Sequence, residues 1–275
     1  MQKLSFLFLF LILNPLLKSQ SETEWFPSSL NIQPFTANFL EPRVGISYLF
    51  GQRNLRLDVG HSSDVVWIKT DNSNFSVGAD FFTFTRIREA EEFHFPVEAI
   101  DYFFGMNAGY KVWNGKNEYG IRFRASHISA HLADGRFIKG PNTWINNQFP
   151  RVYSREFIEL FPYYRFNTLR VYLGLTIIVH VKPQWVGNGI YQAGFDYFLT
   201  DLINNSITPF ISYDFKINHV QKFAGNNIIS AGVKFGHHTS EGISVMLSYY
   251  SGKSIHGEFF EYNEDYFSAG INIEL

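Results

Sequence analysis

The sequence predicts an all-β fold, an antiparallel transmembrane β-barrel of about 12 strands, on three observations. From Arg43 to Leu275, apolar and polar residues alternate in stretch after stretch, the pattern of strands with one face on lipid and one on a lumen. Aromatic residues make up 18% of the chain, as 30 Phe, 15 Tyr and 5 Trp, which suits the interfacial girdles of a membrane barrel. Finally, residues 1–19 have the three parts of a secretory signal: a positive start at Lys3, an apolar run from Leu4 to Leu13, and a break at Asn14-Pro15. Small residues from Ser19 to Ser21 supply the cleavage site. That run is well short of the ~20 residues a spanning helix needs, and no other stretch reads as one. Membrane insertion must therefore come from strands.

Composition excludes several function classes. The 275 residues carry a formal net charge of -2, which gives no electrostatic case for nucleic acid. With no cysteine there is no disulfide framework, no thiolate chemistry and no lipidated amino terminus.

Residues 20–42 are polar and contain Pro27 and Pro34; they read as an irregular periplasmic lead-in, with the barrel occupying 43–275. Its first strand sets Val44, Ile46, Tyr48 and Phe50 on one face. A long second strand puts Leu55, Leu57 and Val59 outward and continues to Lys69, with a bulge expected near Gly60. Strand three carries Phe75, Val77, Ala79 and Phe81 outward, and strand four Ile100, Tyr102, Phe104, Met106 and Ala108. Asn114-Gly115 is a hairpin turn. Strand seven alternates most cleanly, with Leu169, Val171, Leu173, Leu175, Ile177 and Val179 against Arg170, Tyr172, Gly174, Thr176 and His180. Five further strands follow the same rule, led by Tyr191, Ile211, Ile229, Ile243 and Phe267. The inward faces mix small residues with charges of both signs: Arg122, Arg124, Asp101 and Arg155 are expected to lie near one another across a narrow lumen.

The stretch 117–166 carries the candidate chemistry. Its first arm has Tyr119, Ile121, Phe123 and Ala125 on the apolar face, and the next residues in that row are His127, Ser129 and His131. In the second arm Val152, Ile158 and Leu160 share a face interrupted by Ser154 and Glu156. Two neighbouring strands thus place polar groups on a lipid-facing surface near one long loop. An odd-sum register would set His127 opposite Glu156 and Ser129 opposite Ser154, whereas a slip of one residue would turn the second pair to the lumen. The bland account is a polar rim, which costs only ~0–1 kcal/mol. His237, His238 and His256 are dispersed among loops and read as surface histidines, so no metal site is expected.

These residues resemble a family of uncharacterised Gram-negative outer-membrane proteins, domain of unknown function family twelve-oh-seven, from Phe39 to the end. The stretches that carry the resemblance are Ser126-His127-Ile128-Ser129-Ala130-His131-Leu132-Ala133-Asp134, Tyr153-Ser154-Arg155-Glu156, and the run from Tyr249 to Phe259. The family reads Ser-Ser-His-Leu-Gly-Asp where this chain has Ser129-Ala130-His131-Leu132-Ala133-Asp134, and this chain ends in Leu275 rather than an aromatic. The resemblance implies an outer-membrane location and a barrel, with no activity attached. His127-Ile128-Ser129 is also similar to the His-x-Ser pair of outer membrane phospholipase A and the lipid A deacylases, which implies a second reading.

Two readings follow. The first is an integral outer-membrane barrel with a structural, binding or narrow-transport role, in which His131, Asp134 and Arg155 are candidate binding residues. The second is a lipid acyl hydrolase with Ser129 as nucleophile, His127 as general base and Glu156 or Ser154 orienting the imidazole. No cofactor is expected, and calcium enters only under the hydrolase reading. Expected partners are outer-membrane lipids, lipopolysaccharide and, during biogenesis, the barrel assembly machinery.

Overall fold

A computed structural model describes residues 21–274 except Asn142, Trp185, Asp201, 203–205 and Gln221, and except the side chains of Val186 and Val220. The expected signal segment and Leu275 lie outside the described residues.

The alternation folds as one antiparallel meander. Its strands are β1 (Glu22–Trp25), β2 (Val44–Leu49), β3 (Asn54–Lys69), β4 (Ser73–Arg88), β5 (Val97–Asn114) and β6 (Asn117–Leu132). After two short loop strands, β7 (Phe137–Ile138) and β8 (Thr143–Trp144), come β9 (Tyr153–Phe166), β10 (Leu169–Lys182), β11 (Val186–Phe198) and β12 (Ile207–Val220). The last are β13 (Lys222–Phe235), β14 (Gly242–Lys253) and β15 (Asn263–Glu274). All but β1, β7 and β8 form a ring that closes where β2 pairs with both β15 and β3. Closure leaves no sheet edge around most of the wall, which is what a lipid environment requires.

The outer face is apolar as expected. Leu173, Leu175 and Ile177 on β10 are 62%, 40% and 53% exposed, while Arg170, Tyr172 and Thr176 at the alternate positions are buried in the interior. Both described chain ends lie at one end of the barrel, together with the turns at 70–72, 115–116 and 167–168. The opposite end carries the long connection 133–152 and the segment 254–262.

The segment before the barrel contributes to the wall as well, through β1. β1 and β2 both run antiparallel to β3 along the same edge, β1 against Val66–Lys69 and β2 against Asn54–Asp58. They are two halves of one interrupted strand. Between them, residues 26–43 leave the wall and turn into the bore, starting at Phe26, whose φ of 49° takes the chain out of the extended conformation. The bulge in β3 falls between Asp64 and Val66, not near Gly60.

The excursion explains the buried charges. Arg122 grips Glu41 with two bonds, Nη1 to Oε2 at 2.9 Å and Nη2 to Oε1 at 2.5 Å. Arg124 donates to Glu159 at 2.8 Å and to the carbonyl of Leu40 at 3.2 Å. Arg170 binds Asp196 and also the carbonyls of Gln33 and Pro34, and Lys216 donates to Asn38. Phe35 is fully buried among these groups, stacked 4.0 Å from Tyr172 and lying under the guanidinium of Arg170 at 4.5 Å. Taking ions into the bore is costly, and fork-to-carboxylate bonds offset that cost. The expected pairing is corrected accordingly. Arg122 and Arg124 find Glu41 and Glu159, Asp101 pairs with His256, and Arg155 packs over Phe157 without a salt bridge among the described residues.

At the far end, residues 254–260 fold over the mouth. Gly257–Phe259 form a single turn, and His256 is 3% exposed with its Nδ1 2.8 Å from Asp101 Oδ2. His256 is therefore no surface histidine. Asp101 also accepts the Gly257 amide at 2.7 Å, so one lumen carboxylate anchors the loop through two bonds.

Candidate functional site

β6 and β9 pair in the register that brings the lipid-facing polar groups together. His127 stands opposite Glu156, and Ser129 opposite Ser154. His127 Nδ1 lies 2.6 Å from Glu156 Oε1, with the imidazole 26% and the carboxylate 41% exposed. A carboxylate only accepts, so His127 carries its proton on Nδ1 and turns Nε2 away from Glu156. Phe104 of β5 stands beside His127 with ring centroids 4.8 Å apart, fixing the imidazole from the other side.

A third residue joins this pair. His180 Nδ1 lies 2.6 Å from the other carboxylate oxygen, Glu156 Oε2. Strict alternation assigns His180 to the lumen, and the structure overturns that assignment. The β9–β10 register shifts between Ile178 and His180, so Val179 is an extra residue and the side chains beyond it change face. Val179 and His180 are both exposed outward, while Val181 is buried. The signal lay in the apolar run Ile177-Ile178-Val179, which breaks the alternation of β10. Glu156 thus bridges two imidazoles from two neighbouring strands.

The remaining candidates divide. Ser129 is half-buried on the same outward face as His127, two residues along β6, and makes no hydrogen bond to it among the described residues. Ser154 is likewise half-buried, paired in register with Ser129 on one side and Lys182 on the other. His131 is exposed, its ring 5.7 Å from that of Tyr102. Asp134 is exposed in the turn Asp134–Arg136 beyond the strand, and Arg155 faces the interior. His131, Asp134 and Arg155 are therefore not brought together. Among the described residues no cluster of three or more His, Cys, Asp or Glu side chains has the arrangement of a metal site.

A closed antiparallel barrel with an apolar outer belt and a bore lined by buried charges is an outer-membrane protein. More particularly, the chain belongs to the family described as protein of unknown function (DUF1207), which matches residues 96–274. No curated protein sequence matches it. Among solved structures it is similar to outer membrane phospholipase A from Escherichia coli, with 12% identity and a TM-score of 0.55 over 89% of this chain and 94% of that one. Lower similarity is found to the β domain of the Bordetella autotransporter Brka, with 12% identity and a TM-score of 0.41 over 84% of this chain and 98% of that one. OmpT of Vibrio cholerae, with 7% identity and a TM-score of 0.40, covers 84% of this chain and 95% of its own. These likenesses concern the fold.

Proposed function

We propose that the chain is an outer-membrane lipid acyl hydrolase. One observation carries the reading: a lipid-facing imidazole whose Nδ1 is held by a carboxylate at 2.6 Å, with a serine hydroxyl on the same strand face two residues away. An imidazole fixed through Nδ1 is a general base at Nε2, and a carboxylate behind it stabilises the imidazolium formed during attack. The first part of the reaction follows from these roles. Ser129 Oγ adds to the ester carbonyl and passes its proton to His127 Nε2. The tetrahedral intermediate collapses, the alcohol leaves with that proton, and an acyl-serine remains. Water activated by the same imidazole then releases the fatty acid and restores Ser129. The Ser129–His127 hydrogen bond is to be made as substrate docks, since such bonds tighten in the substrate complex.

The depth of the site supports an acyl substrate. His127 lies five residues before the end of β6, below the rim of the wall that carries the long loop, beside the apolar Phe104. Filling of the bore by residues 30–43 weighs against the narrow-transport reading. Name and fold of outer membrane phospholipase A agree with the proposal without carrying it.

An activity-based label tests the nucleophile. A hexadecylsulfonyl fluoride incubated with refolded protein should modify Ser129, found by peptide mass spectrometry. His127→Ala should slow labelling by about 10²-fold or more, the usual contribution of a positioned base. No adduct, or an adduct of equal rate in His127→Ala, would count against the reading.

A further inference from the structure

At the end of the barrel where the described residues begin and end, on the inside of the wall, a cavity of about 70 Å³ is lined by Gln33 and Pro34 of the excursion together with Arg165, Arg170, Phe198 and His238. It is remote from the outward-facing His127, which lies toward the opposite end of β6. Two of its lining groups have buried nitrogens without a hydrogen-bond partner among the described residues. Arg165, near the end of β9, has a side chain 12% exposed, yet it makes no hydrogen bond with any described residue. Its Nε sits 3.7 Å from Glu118 Oε1, beyond hydrogen-bond range, and that oxygen already accepts from the Tyr163 hydroxyl at 2.7 Å. His238, in the turn between β13 and β14, has a buried Nδ1 without a hydrogen-bond partner among the described residues. Its ring lies 5.7 Å from that of Phe198.

A guanidinium offers five donors and an imidazole at least one, and leaving them unmade in a buried place is expensive. Arg170, in the same cavity, spends its donors on Asp196, Gln33 O and Pro34 O. The carboxylates that line the cavity are already engaged, Glu41 with Arg122 and Glu274 with Lys234 and Ser244. The surroundings of His238 are cationic. Burial first, then His237, Arg165, Lys234 and Arg170, hold its imidazole down at about 4. A group that accepts from several donors and carries negative charge would satisfy both orphans and reverse that repulsion.

We propose that Arg165 and His238 form a binding site for a phosphate-type oxyanion at the mouth of the barrel that carries the turns 70–72, 115–116 and 167–168. The guanidinium fork supplies two parallel donors, the imidazole a third, and the cavity admits an anion of phosphate size while the Phe198 ring bounds it. The group could be free phosphate or the phosphodiester of a lipid headgroup, since both present the same oxygens.

Full-length refolded protein in a zwitterionic detergent is titrated calorimetrically with inorganic phosphate at constant ionic strength, with chloride as the control. Wild-type protein should bind phosphate saturably at one site. Arg165→Gln and His238→Gln should each weaken binding by about tenfold or more, the value of one charge-assisted hydrogen bond. Neither variant removes a hydrogen bond among the described residues, so the barrels should fold, which retained heat-modifiable migration on gels would verify. A second titration uses dihexanoyl phosphatidylglycerol below its micellar concentration. Tighter binding than phosphate supports the site and assigns it to a headgroup; equal or weaker binding supports it and assigns it to the free anion. Absence of saturable phosphate binding by the wild-type protein, or binding unaltered in both variants, overturns the proposal.

Discussion

Replacing Glu41 with alanine should cost about 3–5 kcal/mol of folding stability, the loss expected when one partner of a buried ion pair is removed. Glu41 is 1% exposed and is shared by two guanidinia, Arg122 through two hydrogen bonds and Arg124 at 3.7 Å. Without it Arg122 keeps no carboxylate among the described residues, and Arg124 is left with Glu159 alone. The side chain of Asn38, which donates to Glu41 at 2.8 Å, loses its acceptor as well. The excursion would still be held by the Phe35 cluster, by the bonds of Asn31 to Asp64 and Ser76, and by those from Arg124, Arg170, Arg56 and Lys216. Urea unfolding of the barrel in vesicles, followed by tryptophan fluorescence, gives the difference. A loss below about 1 kcal/mol, the range of exposed ion pairs, would mean that the excursion does not dock in the bore as described.

Changing Glu156 to glutamine should lower acyl-ester hydrolysis by about 10⁴-fold, the loss seen when the matching carboxylate of a serine-protease triad becomes an amide. The substitution keeps the shape of the side chain. It removes the charge that favours the His127 imidazolium, and it can present an amide N–H where His127 Nδ1 needs an acceptor. His180→Ala should alter the rate by less than about tenfold, because Glu156 Oε1 still holds His127 when Oε2 is released. Initial rates on a micellar phospholipid ester separate the two. Equal losses in both variants would make the three-residue bridge a structural clasp between β6, β9 and β10 instead of a base and its orienting group.

Much of this architecture was legible because strand parity is a strong constraint. Alternation placed Leu173, Leu175 and Ile177 on lipid, and it placed His127 and Ser129 on the same outward face. It could also state the two registers between which the β6–β9 pairing had to choose, and the one that joins His127 to Glu156 is the one formed.

Parity fails wherever one residue is added or the chain leaves the sheet. The bulge at Val179 reversed the face of His180, and only the triple Ile177-Ile178-Val179 hinted at it. The excursion 26–43 has no periodicity, so its place in the bore was hidden. Its clue was electrostatic: Arg122 and Arg124 on successive inward positions of β6 need more carboxylate than Glu159 alone can supply, and Glu41 provides it. The fate of His256 was hidden for a similar reason. A loop residue acquires burial only through tertiary contact, here with Asp101 from β5.

Hydrolysis of a long-chain phospholipid by purified, refolded protein, with Ser129→Ala measured beside it, tests the central claim most directly. Fatty-acid release by the wild-type barrel should proceed through many turnovers. Ser129→Ala should lower the rate by at least about 10³-fold with the folded fraction unchanged, since the Ser129 side chain makes no hydrogen bond among the described residues. Fatty-acid release that is the same in both proteins, or absent from the folded wild type across phospholipid and lipopolysaccharide substrates, would contradict it.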